Sequence, residues 1–430
     1  MTGRYWLETL GCPKNKVDSD KLAGLLQSEG LSPARDPGKA DLVVVNTCAF
    51  IEQARQESID TVLELAGARK EGAKLVVTGC LAERYGQELA DAMPEVDQVA
   101  GFGTPFLPVP WGASAPVRLL RAPVVPSFDL LNLPRPPARA PWAYLKVAEG
   151  CDRRCGFCAI PSFRGPQRSR RREDILAEVE SLGDVQEVVL VAQDLVSWGR
   201  DAAAGSPRGR LVELMGEVEE RVERVRLLYL YPSGLSDELI DAIGESGCPY
   251  FDLSLQHVSR ALLRRMRRFG DGERFLERVA EIRRRFPGAA LRSSFIVGYP
   301  GEEEEDHDML LAFLQEASLD WAGFFAFSNE EGTHAAGLEG HVPSSLVAER
   351  LRECTELQDS ITATRRNALV GARFRVLVDA PGEARSHLEA PEIDGAVRVP
   401  AKLPAGTWHE VEITGAIGPD LVARPVLGAS

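Results

Sequence analysis

No run of about 18 uncharged apolar residues occurs anywhere in the 430 residues, so no transmembrane helix is expected. The first residues, MTGRYWLETLGC, lack the basic flank and apolar core of a signal peptide, which gives a cytoplasmic expectation. Cysteine is scarce. Eight in a chain of this length are too few for a disulfide scaffold, leaving metal or catalytic use as the alternative. Positive charge is also in deficit: the net charge is −14, which argues against broad electrostatic binding to nucleic acid and favours a basic protein as partner. None of the six histidines shows ligand spacing.

What is present divides into three textures, as the length suggests. In residues 1–102, the short apolar runs RYWLETLGC, DLVVVNTC and KLVVTGC each lead into a helical pattern. Strands alternating with helices imply parallel βαβ units. Cys12, Cys48 and Cys80 then sit just past the carboxyl ends of strands, the edge along which open parallel sheets bind ligands. Read singly, each is a small buried residue. Three at equivalent strand ends favour a metal site.

Residues 103–142 hold ten of the 28 prolines, a density that favours an extended linker over helix. From 143 to about 340 the alternation resumes, with candidate strands WAYLKVAE, EVVLVAQD, VRLLYLY, YFDLSLQ, LRSSFIV and WAGFFAF. Six such units suggest a (β/α)6 partial barrel with its chemistry at the strand carboxyl ends. A long amphipathic stretch follows. Residues 371–430 read as a small β-barrel or OB-like module, and six Lys or Arg against eight Asp or Glu suit a protein partner better than a nucleic acid.

The loop after the first barrel strand, EGCDRRCGFCAIP, carries Cys151, Cys155 and Cys158. Structural zinc sites are usually closed by four ligands, and no downstream cysteine or histidine pair closes this one. An iron–sulfur cube on three thiolates leaves one iron open for another ligand.

C-x3-C-x2-C at this position, with Phe157 before the last cysteine, resembles the radical S-adenosylmethionine superfamily. LGCPKNKVDSD, NTCAFIEQARQES, TGCLAERY, EGCDRRCGFCAIPSFRGPQRSR, LQHVSRALLRRMRR, SFIVGYPGE and APEIDGAV extend the resemblance over the whole chain to RimO-type radical methylthiotransferases. The resemblance implies an N-terminal methylthiotransferase domain (1–102), a radical domain with trailing helix (143–365) and a TRAM module (366–430).

It also implies two [4Fe-4S] clusters, one on Cys151, Cys155 and Cys158 for reductive cleavage of S-adenosylmethionine, the other on Cys12, Cys48 and Cys80 for sulfur insertion. An aspartate β-carbon has no proton that a side chain can remove at neutral pH, so cofactor chemistry is required. In that family the aspartate belongs to the twelfth protein of the small ribosomal subunit. An electron donor such as flavodoxin or ferredoxin and a monomeric, membrane-free enzyme are expected with it. The tRNA-adenosine methylthiotransferases of the MiaB family, and a non-catalytic iron–sulfur or structural metal protein, are the alternatives.

Beyond the cysteines, Phe157, Gln193, Asp194, Ile296 and Gly298 are candidates for placing the S-adenosylmethionine, against ordinary loop, core-strand and turn roles. The family's hydroxyls directly after Asp194 are replaced here by Leu195 and Val196, which puts a hydroxyl role there in doubt. The basic run from Arg164 to Arg172 reads as a solvated helix start or an anion site. Glu302 to Glu305 read as a helix N-terminus, and Cys248 and Cys354 as structural.

Overall fold

The computed structural model describes residues 3–102, 130–201 and 210–426. Most of the proline-rich stretch, 103–129, lies outside them.

The N-terminal unit is a parallel sheet of β1 (Arg4–Thr9), β2 (Ser32–Pro33), β3 (Leu42–Thr47), β4 (Lys74–Gly79) and β5 (Gln98–Ala100), in the order β2-β1-β3-β4-β5. Helices α1 (Pro13–Ser28), α2 (Glu52–Ala68) and α3 (Cys80–Ala92) cover it. The central strand LVVVNT is buried throughout because both faces are covered. Val43 and Val45 pack with Val62 and Leu65 of α2, while Leu42 and Val44 pack with Leu22 and Leu26 of α1. The chain reverses its winding between β1 and β3, and such a switch point opens a crevice at the strand carboxyl ends.

Residues 130–141 run between this unit and the next. Leu130 is buried in the first core, and the Lys21 ammonium donates to the carbonyls of Leu131 (2.6 Å) and Leu133 (3.1 Å).

The middle unit opens with β6 (Trp142–Lys146), whose first residue falls inside the expected linker. Then follow the short pair β7 (Ala148–Glu149) and β8 (Arg168–Ser169), with α4 (Ile160–Arg164) between them. Five more units alternate α5 (Arg172–Ser181), β9 (Glu187–Val191), α6 (Arg210–Glu219), β10 (Arg224–Leu227), α7 (Asp237–Glu245), β11 (Tyr250–Gln256), α8 (Arg260–Arg265), α9 (Gly272–Arg285), β12 (Ala290–Val297), α10 (Glu304–Ala317) and β13 (Trp321–Ala326).

The parallel strands form two three-stranded halves, β10-β9-β6 and β11-β12-β13, which meet at a Leu230–Leu253 bridge. Six strands thus curve into the open (β/α)6 barrel. Leu145, Val188, Leu190 and Leu227 face the helices, whereas Trp142, Tyr144, Val189 and Tyr250 face inward.

Helix α11 (Ser344–Asn367) packs against β13 and runs two residues past the expected break at 365. The last unit is a closed barrel of β14 (Arg373–Ala380), β15 (Glu383–Arg385), β16 (Val397–Arg398), β17 (Trp408–Ile417) and β18 (Asp420–Pro425).

A loop of this unit turns into the open barrel instead of outward. Leu388 and Ala390 join the inward-facing core. The Tyr144 hydroxyl donates to the Pro391 carbonyl (2.6 Å), and the Tyr250 hydroxyl to the Asp394 carboxylate (2.5 Å). Below, Glu187 takes hydrogen bonds from Arg226 (2.8 Å) and Arg385 (2.9 Å). Burial opposes its charge, yet Arg385, Arg226 and Arg224 hold its carboxyl down at about 2. The amino ends of the barrel strands are therefore plugged, and the carboxyl ends face the N-terminal unit.

Candidate active site

Three cysteines follow glycines that only a missing Cβ permits. Gly11, Gly79 and Gly150 have φ of +92°, +92° and +76° and directly precede Cys12, Cys80 and Cys151. A Cβ on Gly79 would meet the Asn46 side chain at 2.4 Å, and one on Gly150 the Pro166 carbonyl at 2.1 Å. The turns deliver each sulfur to the strand carboxyl edge.

In the N-terminal unit, Cys12 caps α1 from the end of β1, Cys48 follows β3, and Cys80 opens α3 after β4. Asn15, fully buried, ties these ends together: its amide donates to the Leu10 carbonyl (2.9 Å) and the Thr47 carbonyl (3.0 Å). Ser58 bonds both the amide (3.1 Å) and the carbonyl (3.0 Å) of Cys48. Cys48 and Cys80 are buried and Cys12 is half-buried.

Burial, with Cys80 and Cys12 beside it, pushes the Cys48 thiol up to about 12, and burial raises Cys80 as well. For Cys12 burial acts upward too, but Lys14, Arg164 and hydrogen bonds from the Asn15 and Lys14 amides together outweigh it and the net shift is down.

The second triad lies on the loop after β7. Its turns are fixed by Cys151 N–H donating to the Gly165 carbonyl (3.1 Å) and Gly156 N–H to the Met266 carbonyl (2.7 Å). The Arg153 amide donates to Cys151 Sγ (3.4 Å) and the Arg268 guanidinium to Cys155 Sγ (3.3 Å). Both guanidiniums stack on Tyr231, at 4.0 Å and 4.2 Å from the ring centre. Burial pushes the Cys151 thiol up to about 11 and Cys158 up to about 12.

Arg164 joins the two halves. From α4 it reaches across the domain boundary and donates to Cys80 Sγ (3.1 Å) and Asn15 Oδ1 (2.7 Å). It also pairs with Asp18 (3.1 Å) and Glu149 (2.9 Å), and Lys146 pairs with the same two carboxylates. On the far side, Glu330 is gripped by Arg55 and Arg84 of the N-terminal unit.

Arg164 and Arg170 are buried ion-pair partners, so the run from Arg164 to Arg172 is not a solvated helix start; only Arg171 and Arg172 behave that way. Asn15, Asp18, Lys146 and Glu149 were not singled out from the sequence, although each stands within six residues of a motif cysteine.

The other candidates divide. Gln193 donates to Glu149 (2.6 Å), and Asp194 takes hydrogen bonds from Arg153 (2.6 Å) and from the Ser197 hydroxyl (2.6 Å). A hydroxyl thus does serve Asp194, from three residues on. Gln193 Oε1 and Asp194 Oδ1 are buried acceptors with no partner among the described residues. Phe157 packs at the margin of the main core, and Ile296 is buried in β12.

Gly298 has a packing reason of its own, because a Cβ there would meet Val347 of α11 at 2.4 Å. Glu302 turns inward to accept from the Gly298 amide (2.6 Å) and pair with Arg350, while Glu303 and Asp306 form the helix-capping box. Cys248 and Cys354 are core residues.

Among the described residues no three His, Cys, Asp or Glu side chains converge on one metal ion, so the fit is judged by donor chemistry. All six donors are thiols, three to a set, which suits iron–sulfur clusters with one open iron and not hard cations.

Residues 4–101 match the uncharacterized protein family UPF0004, residues 145–314 the radical SAM superfamily, and residues 370–426 the TRAM domain. The chain is 43% identical over 414 residues to the ribosomal protein uS12 methylthiotransferase RimO of Moorella thermoacetica, covering 94% of this chain and 95% of that one. To the protein of the same name from Cutibacterium acnes it is 41% identical over 470 residues, covering 97% of each. The fold is shared with the radical S-adenosylmethionine methyltransferase TsrM of Kitasatospora setae, at a TM-score of 0.51, 15% identity, and coverage of 94% of this chain and 84% of that one.

Proposed function

From its membership of the RimO family of ribosomal protein uS12 methylthiotransferases, to which the chain belongs, we propose that its two cysteine triads hold two [4Fe-4S] clusters that face each other across the domain boundary. Cys151, Cys155 and Cys158 would hold one and Cys12, Cys48 and Cys80 the other. The activity is methylthiolation of an aspartate β-carbon in uS12, and the tRNA and non-catalytic readings give way to it. When bound, the clusters and S-adenosylmethionine supply the electron, the hydrogen-abstracting radical, the sulfur and the methyl group.

The chain's own work is to orient and to exclude water. The Arg153 amide and the Arg268 guanidinium donate to the Cys151 and Cys155 sulfurs, and such hydrogen bonds tune a cluster's potential. The unpaired acceptors Gln193 Oε1 and Asp194 Oδ1 suit the cationic amine of S-adenosylmethionine. The network of Asp18, Lys146, Glu149 and Arg164 holds the N-terminal triad over the barrel mouth.

The observation that carries this reading is the pair of three-cysteine sets at strand carboxyl ends of the two units, with Arg164 of the middle unit bonding to Cys80 of the first. A ribosomal substrate supports a cytoplasmic enzyme, and reductive cleavage calls for an electron donor such as flavodoxin or ferredoxin. Anaerobic purification tests the cofactor content: about eight irons per chain are expected. Mass spectrometry of uS12 with and without the enzyme tests the reaction, and an unmodified aspartate in the enzyme's presence would sink it.

A further inference from the structure

The cleft between the triads is rich in cations, and nearly all are engaged. Lys146 and Arg164 share Asp18 and Glu149, Arg55 and Arg84 share Glu330, Arg153 holds Asp194, and Arg268 holds Cys155. Lys14 differs. It has no carboxylate partner among the described residues, and its ammonium lies 3.4 Å from the ring centre of Tyr229.

That lysine is poorly placed for the helix it sits on. It occupies the second position of α1, where the helix dipole disfavours a cation, and no acidic residue in the first turn compensates. Its platform is unusual as well. Tyr229 has φ of +65°, a costly conformation for a bulky residue, and its amide is pinned to the Asp252 carboxylate (2.9 Å). The strain turns Tyr229 toward Lys14 and Cys12. Tyr231, two residues on, carries the arginines of the other triad. Tyr229 thus stands by a lysine of the N-terminal triad's helix, and Tyr231 by the arginines of the loop triad.

We propose that Lys14, seated on Tyr229, is the specificity-determining site for the side-chain carboxylate of the substrate aspartate. This rests on the function proposed above. The carbon that gains sulfur is bonded directly to the carboxyl carbon, so wherever that carbon lies between the triads its carboxylate lies beside it. A cation two residues from Cys12 meets that requirement. The ring occupies one side of the ammonium and leaves N–H donors free on the other. A charge-assisted contact at this half-buried ammonium also disfavours the neutral amide, because asparagine leaves the ammonium without a counter-charge.

The test uses the full-length, cluster-loaded enzyme with purified uS12 and with uS12 whose target aspartate is replaced by asparagine. Wild type is expected to bind the aspartate form more tightly. Lys14→Met should raise KM for uS12 roughly 10–100-fold and abolish the preference over the asparagine form, with iron content unchanged. Lys14→Arg should restore most of the preference, and Tyr229→Leu should weaken it without removing the cation.

If Lys14→Met keeps the full preference, or loses iron and alters the spectrum of the N-terminal cluster while substrate binding stays intact, the assignment is overturned. Wild type that leaves uS12 unmodified would instead refute the function itself.

Discussion

One triad of thiols comes from a single loop, Cys151 to Cys158, and the other from three strand ends spread between Cys12 and Cys80. The loop triad is half-buried throughout, and its surroundings are held by backbone hydrogen bonds and two arginines stacked on one tyrosine. The distributed triad is deeper, and it is assembled by side chains: Asn15 between two strand ends, Ser58 around Cys48, and Arg164 brought in from the neighbouring domain. The difference teaches where each is vulnerable. The loop triad depends on local geometry, whereas the distributed one depends on the sheet and on domain docking.

The largest expected effect separates the triads by chemistry. Cys155→Ala should abolish cleavage of S-adenosylmethionine, whereas Cys48→Ala should leave cleavage largely intact and stop sulfur insertion, each removing about half the iron. Product analysis by chromatography beside iron assays checks this. Loss of cleavage in both variants would break the division of labour.

Next in size is the domain bridge. Arg164→Leu leaves Asp18 and Glu149 buried with only Lys146 between them, and removing one partner of a buried ion network typically costs about 3–5 kcal/mol. We expect a lower unfolding midpoint in denaturant and loss of the N-terminal cluster ahead of the other. If both clusters are lost equally, the bridge serves the whole fold and not the distributed triad.

A smaller effect comes from the turns. Gly79→Ala and Gly150→Ala each force a Cβ into occupied space at a positive φ, a cost of roughly 1–3 kcal/mol. Gly79→Ala should deplete the N-terminal cluster and spare cleavage, and Gly150→Ala should do the reverse. Iron content and cleavage, measured together, decide between this and a general loss of stability.

These contrasts also mark what could be read beforehand. The alternation of apolar runs with helical patterns gave the sheet, the six-stranded barrel and the positions of all six motif cysteines, because period and spacing are local properties. Asn15, Asp18, Lys146 and Glu149 are not legible in the sequence because a buried polar residue has no periodic signature; only the docked partner explains it. The sequence leaves Arg164 between a solvated helix start and an anion site for the same reason, its partners Asp18 and Cys80 being far away along the chain. APEIDG belongs to a small barrel by sequence position, yet its residues plug the larger barrel through Ala390, Pro391 and Asp394.

The finest distinction lies within the distributed triad itself. In the cluster-free protein Cys12 is a half-buried residue where Cys48 and Cys80 are buried, and Lys14, Arg164 and backbone hydrogen bonds lower its pKa against the pull of burial. Cys48, pushed up to about 12, is its opposite. A thiol with a pKa near 12 is ionised to roughly one part in ten thousand at pH 8, and one below 9 to about a tenth or more. The lower-pKa thiolate is the weaker nucleophile, which offsets part of that ratio. Iodoacetamide at pH 8 should therefore alkylate Cys12 at least about ten times faster than Cys48, followed residue by residue by peptide mass spectrometry. Cys151 and Cys158, both raised, should also lag behind Cys12. Equal rates for Cys12 and Cys48 would mean that Lys14 and Arg164 do not act on Cys12 in solution, and the charge asymmetry across the distributed triad would fall with them.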